Sequence, residues 1–151
     1  MRVSYRPHVQ QHEAGFCYPV FTMTIDIVNT DKKRYLSLLL LADEQESMID
    51  RYLERGEMFA ANEDGTVVAV CVVTRESEGV YELKNLAVRP DFQRRGIGRA
   101  MIGHVWWHYA PSCRTLLVGT GDSPSTVPFY ERCGFVYSHR VKDFFTDEDE
   151  Y

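Results

Sequence analysis

A proline closes an aliphatic run, and a few residues further on two glycines punctuate a basic turn. This stretch limits what the rest of the chain can fold into. Leu86-Ala87-Val88-Arg89-Pro90 leads into Gln93-Arg94-Arg95-Gly96-Ile97-Gly98-Arg99, and a strongly periodic segment follows. The order is strand, turn, helix start. Gly96 and Gly98 remove the side chains that would keep a ligand from the backbone, so successive N–H groups at a helix N-terminus can converge on an anion. A phosphate or pyrophosphate suits such a nest, although two glycines at this spacing also suit a plain tight turn. Two familiar phosphate loops are excluded. No Lys-Ser or Lys-Thr follows a glycine, as the P-loop requires, and Met101 stands where the dinucleotide fingerprint needs its third glycine.

A second motif lies downstream. Val118-Gly119-Thr120-Gly121-Asp122-Ser123 and then Phe129-Tyr130-Glu131-Arg132-Cys133-Gly134-Phe135 read as a strand, a polar loop and a short helix. With Gln-x-x-Gly-x-Gly ahead of Phe-Tyr-x-x-x-Gly-Phe, the chain resembles the GNAT superfamily of N-acetyltransferases over residues 23–141. The resemblance implies an α/β (α+β) fold, a central mixed, mostly antiparallel twisted sheet with helices on both faces. It also implies acetyl-coenzyme A as cofactor, its pyrophosphate on the glycine turn.

Composition sets the class of protein. With 151 residues, 44% hydrophobic and 26% charged, the chain reads as one globular domain large enough for a real core. No apolar run approaches the eighteen or so residues of a membrane span. The opening residues include Arg2, Arg6, His8, His12 and Glu13 with no apolar block between them, unlike a signal peptide; a cytoplasmic location is expected. A net charge of -5 argues against a nucleic-acid partner and favours a cationic substrate. Cys17, Cys71, Cys113 and Cys133 are scattered, so free thiols are expected. His8, His12 and Cys17, like His104 and His108, lack the further ligands a metal site needs, and no metal is expected.

In chain order, residues 23–28 alternate as a strand. Asn29-Thr30-Asp31 offer N-cap chemistry for a leucine-rich helix over 34–42, apolar enough to be buried on most sides. Met48, Ile49, Tyr52 and Leu53 recur at helical spacing, with Gly56 as the stop. Residues 58–61 and 67–74 flank Asn62-Glu63-Asp64-Gly65 as a hairpin. A strand over 80–88 feeds the glycine turn; the helix from Gly96 sets Ile97, Met101, His104, Val105 and His108 on one side and ends at Pro111. A strand at 115–118, a helix at 126–132 and a strand at 135–141 follow. The chain divides into an N-terminal extension (1–22), the acetyltransferase domain (23–145) and an acidic tail (146–151). Family domains carry one more strand after Gly-Phe, and Phe144-Phe145 before the tail is a poor candidate. Absence ranks first; residues 1–22 or another subunit filling the place are the alternatives.

The resemblance also implies roles. The pantetheine arm lies along Leu86-Ala87-Val88, the Leu86 N–H faces the acetyl oxygen and Val88 bonds the arm. The amides of Arg94, Arg95, Gly96, Ile97, Gly98 and Arg99, after Gln93, receive the pyrophosphate. Glu82 falls where one branch has its catalytic glutamate, so it is either the general base that frees the amine or an exposed strand carboxylate. Tyr130 matches the tyrosine beside the sulfur, an acid for the leaving thiolate or, on the bland reading, a core aromatic. Asp122 replaces a common asparagine and faces either the arm or the amine. The expected reaction is acetyl transfer by direct attack in a ternary complex, with a small cationic amine as acceptor and Glu76, Glu78 and Glu82 as an electronegative lip. A peptide amine is the next choice, a non-catalytic coenzyme A-binding module the alternative, and a homodimer a reasonable prior.

Overall fold

The computed structural model describes residues 2–5, 23–119 and 126–137. Among these, seven strands form one sheet. They are β1 (Arg2–Tyr5), β2 (Met23–Val28), β3 (Glu57–Glu63), β4 (Thr66–Ser77), β5 (Val80–Val88), β6 (Thr115–Gly119) and β7 (Phe135–Tyr137), in the spatial order β2-β3-β4-β5-β6-β1-β7. Only β5 and β6 run parallel; the other neighbours are antiparallel. The helices are α1 (Leu36–Ala42), α2 (Glu46–Tyr52), α3 (Ile97–Tyr109) and α4 (Thr126–Arg132).

The β3–β4 hairpin turns at Asp64 and Gly65, both at positive φ (53° and 84°), the geometry that matches the twist of the flanking strands. β4 is the centre of the sheet. Its unbroken apolar run from Val68 to Val73 is at most 2% exposed, as a strand covered on both faces requires. One face packs under α3, where Phe59, Leu83, Met101 and Val105 meet; the other packs under α1 and α2, where Leu39, Ile49, Met58 and Val72 meet. On α3 the apolar spacing works as expected, with Ile97, Met101 and Val105 buried and the His104 and His108 rings edge-on to Phe59 at 5.7 and 5.3 Å.

The β4–β5 ladder carries a bulge that decides the site. Val73 pairs with Leu83 but Val72 with Asn85, so Lys84 is an extra residue. Side chains alternate along a strand, so the extra residue exchanges the faces beyond it. Leu86 and Val88 thereby join Leu83 on the α3 face, while Asn85 and Ala87 turn to the α1/α2 face.

Three readings of the sequence need correction. The sheet position taken first as vacant is filled, because β1 lies between β6 and β7, with Arg2 opposite Gly119 and Tyr5 opposite both Leu116 and Phe135. Strand edges leave unpaired N–H and C=O groups, and one inserted segment satisfies two edges at once. Second, α1 is not buried on most sides: Leu38 and Leu39 are covered, but Leu41 is 51% exposed. Third, Asp31 makes no side-chain cap. It adopts φ 52°, and Lys32–Tyr35 form a 3-10 turn ahead of α1. The Lys32 ammonium instead donates to the Leu53 and Gly56 carbonyls (3.0 and 2.7 Å), tying this turn to the end of α2. Residues 138–141, like the acidic tail, lie outside the described residues.

Candidate active site

The parallel pairing of β5 with β6 begins at Val80–Thr115 and stops at Leu83–Val118. Beyond it β5 continues through residues 86–88 with β4 on one side and, among the described residues, no strand partner on the other, so this edge can take an extended ligand. The chain then turns. The Gln93 side-chain amide donates to the Val88 carbonyl at 3.0 Å, and Arg94 and Gly96 take positive φ (66° and 83°). Gly96 is the N-cap of α3 without a side-chain cap, and the first helical bond runs from Ala100 N–H to Gly96 O at 3.0 Å. The amides just ahead of Ala100 are therefore those an α-helix leaves without an internal acceptor, at the positive end of its dipole.

These parts surround one cleft of about 660 Å³. Leu86 and Val88 line it from β5; Phe92, Gln93 and Arg94 from the turn; Gly96, Ile97, Gly98 and Arg99 from α3; and Phe129, Tyr130, Arg132 and Cys133 from α4 and its end. In a chain of net charge -5, the lining among the described residues has three guanidinium groups and no carboxylate. Glycine suits the turn for two reasons. Gly96 needs its positive φ, and a Cβ on Gly98 would come within 3.1 Å of Phe129 and 3.8 Å of Val88, filling the cradle.

Tyr130 is 8% exposed, its ring edge-on to Phe129 and Phe135 at 5.0 and 5.3 Å. Burial pushes its phenol well above the ordinary range, with the nearby Cys133 and Cys71 thiols adding to the rise. Burial also moves the Cys133 thiol up to about 11, against the opposing pull of Arg99 and Arg132.

Not every expected residue joins the cleft. Ala87 is buried on the α1/α2 face, and Arg95 lies over the Phe92 ring at 4.7 Å. Asp122 lies outside the described residues. Glu82 neither lines the cleft nor is an exposed carboxylate; it is 3% exposed, and its Oε1 is 3.1 Å from Lys84 Nζ. It sits opposite Thr74, which donates to Glu76. Burial alone would raise the Glu76 carboxyl; the Thr74 hydroxyl and the charges of Lys84 and Arg55 outweigh it and hold the group low. Phe92, Phe129, Arg132 and Cys133 were missed, although three of them stand inside the second motif. Among the described residues no three His, Cys, Asp or Glu side chains converge as metal ligands, and no helix is long and apolar enough to cross a membrane.

A sheet that parts at its middle onto a basic helix N-terminus defines a receptor for an extended anionic carrier. Residues 54–137 match the family described as Acetyltransferase (GNAT) domain. An N-acetyltransferase of Bacillus subtilis (strain 168), YvbK, is 30% identical over 132 residues, covering 84% of this chain and 85% of the relative. A GNAT family acetyltransferase from Elizabethkingia anophelis, solved with acetyl-CoA bound, superposes with a TM-score of 0.73 at 29% identity over 78% of each chain. A Bacillus subtilis acetyltransferase in complex with CoA gives 0.67 at 27% identity over 74% of each. The chain belongs to the GNAT family of acetyltransferases.

Proposed function

We propose that the protein transfers the acetyl group of acetyl-coenzyme A to the nitrogen of a small cationic primary amine, by direct attack in a ternary complex. The observation that carries this reading is the cleft itself, where Arg94, Arg99 and Arg132 meet a glycine-opened helix end, and Tyr130 stands in the same lining. The acetyl-CoA held by the Elizabethkingia relative supports it.

The carrier supplies an activated acyl group as its thioester. The free amides before Ala100 and the three arginines receive its pyrophosphate. Residues 86–88 offer the open strand edge to the pantetheine arm, and the Leu86 N–H stabilises the negative charge that grows on the acetyl oxygen. The amine nitrogen forms its bond to the carbonyl carbon as the carbon–sulfur bond breaks. Before that attack the cationic amine gives a proton to Glu82, the proposed base, which frees its lone pair; after it the nitrogen releases a second proton to solvent, and Tyr130 returns one to the thiolate. Burial raises the phenol, but it penalises the thiolate in the same surroundings too, so the transfer between them keeps its drive. Glu76 and Glu82, both on the α1/α2 face, favour an acceptor that carries positive charge.

The test is thiol release from acetyl-CoA across a panel of amines. Amine-dependent release, lost in Glu82→Gln at neutral pH, is the expected result. Tight binding of CoA with no amine-dependent release would instead favour a coenzyme-binding module.

A further inference from the structure

β5 also has a polar side. Asn85 is 3% exposed, and its Nδ2 donates to the Leu39 carbonyl (3.1 Å) and to the Tyr52 hydroxyl (3.0 Å). A carbonyl can only accept, so the side-chain amide cannot be turned over, and Oδ1 is fixed as the end that points elsewhere. Tyr52 in turn donates to Asp43 Oδ2 at 3.2 Å. The chain of bonds therefore has one direction, from Asn85 through Tyr52 to Asp43. Its upstream end, Asn85 Oδ1, is the one buried side-chain nitrogen or oxygen among the described residues that has no hydrogen-bond partner. A buried acceptor left so is costly, and native proteins keep few of them without a use.

The place of this atom indicates what fills it. Asn85 directly precedes Leu86, the first cleft-lining residue of β5, and β5 has already parted from β6 at Leu83–Val118. The bulge at Lys84 turns Asn85 to the α1/α2 face; without it Asn85 would share the face of Leu83. A thioester lying against Leu86 is covered on the cleft side by its own carrier, which leaves the opposite face to the nucleophile, past the point where β5 and β6 cease to pair. On that face Asn85 and the buried Glu82 offer acceptors, and Lys84 is already paired to Glu82.

We infer that Asn85 Oδ1 takes an N–H of the acceptor amine and holds that nitrogen beside Leu86, where β5 and β6 have ceased to pair, selecting acceptors that carry N–H donors. The inference rests on the transferase reading above. A primary ammonium fits, since it has one hydrogen for Asn85 and another for the base, and the loss of the latter frees the lone pair for the carbonyl carbon.

The experiment compares cations with and without N–H groups on the full-length protein saturated with CoA. Ethylammonium chloride is expected to raise the unfolding midpoint above that in tetramethylammonium chloride of equal ionic strength by about 2 °C or more, the shift given by a ligand at several times its dissociation constant. Tyr52→Phe, which leaves Oδ1 in place, keeps the difference. Asn85→Leu, of similar volume and without the amide, abolishes it. Equal midpoints in the wild type, as a trapped water on Oδ1 would give, overturn the inference even if no Asn85 variant folds, and so does a difference that persists in folded Asn85→Leu. Failure of CoA itself to raise the midpoint would overturn the transferase reading instead, and the inference with it.

Discussion

Replacing Tyr130 by phenylalanine removes one oxygen from the centre of the proposed chemistry and leaves the packing that surrounds it. The ring lies edge-on to Phe129 and Phe135 at 5.0 and 5.3 Å, and those contacts belong to its carbon frame. Loss of a single hydroxyl changes folding stability by about 1 kcal/mol either way. In the proposed complex the cofactor's charged end meets Arg94, Arg99 and Arg132, none of which Tyr130→Phe disturbs, so the dissociation constant for CoA is expected to move less than about threefold. The rate constant should behave differently. A positioned general acid is worth roughly a hundredfold to ten-thousandfold, about 3 to 5 kcal/mol of transition-state stabilisation. Thiol release at saturating acetyl-CoA gives kcat, and calorimetric titration gives the affinity. Because burial raises the phenol, Tyr130 stays protonated through neutral and mildly alkaline pH, and no loss of kcat there is expected to come from it. Equal losses in kcat and in CoA affinity would make Tyr130 a binding residue and refute the acid role.

Gly98→Val puts carbon where a Cβ alone already lies 3.1 Å from Phe129, and calorimetry should find CoA bound roughly tenfold to a hundredfold more weakly, from the 1 to 3 kcal/mol that forced displacement costs. Lys32→Met leaves the Leu53 and Gly56 carbonyls without their ammonium donor, and urea unfolding should show a loss of about 1 to 3 kcal/mol. The Cys133 thiol, ordinarily at 9.0, is raised to about 11 in the fold, so the stability it contributes is whole below pH 9 and is lost as pH rises through about 11. Urea midpoints measured from pH 8 to 11 should decline less in Cys133→Ala than in the wild type.

What the sequence made legible was local. The spacing of Ile97, Met101 and Val105 fixes the buried stripe of α3 because helical period and burial agree there, and Asp64-Gly65 names its own turn. The glycine turn and the Phe-Tyr motif could likewise be read, since each is a short stretch whose backbone chemistry is its signal. What escaped depends on partners far away in the chain. Arg2 pairs with Gly119, and a four-residue strand carries no period by which that pairing could be foreseen. The bulge at Lys84 is one extra residue in a ladder, invisible until the register with β4 is known, yet it decides that Asn85 and Leu86 face opposite sides. Glu82 was open to two readings, base or exposed carboxylate. The structure removes its exposure and adds the Lys84 pair; its chemical role awaits Glu82→Gln.

The central claim is that the amides and arginines at the start of α3 anchor a long thioester by its pyrophosphate, so that its reactive end reaches Tyr130. Calorimetric titration with acetyl-CoA and with S-acetylpantetheine, which lacks the pyrophosphate and nucleotide, separates anchor from arm. Saturable binding of acetyl-CoA is expected, with at least about a hundredfold weaker binding of S-acetylpantetheine, a difference near 3 kcal/mol. Equal affinity for the two, or no heat with acetyl-CoA, would contradict it.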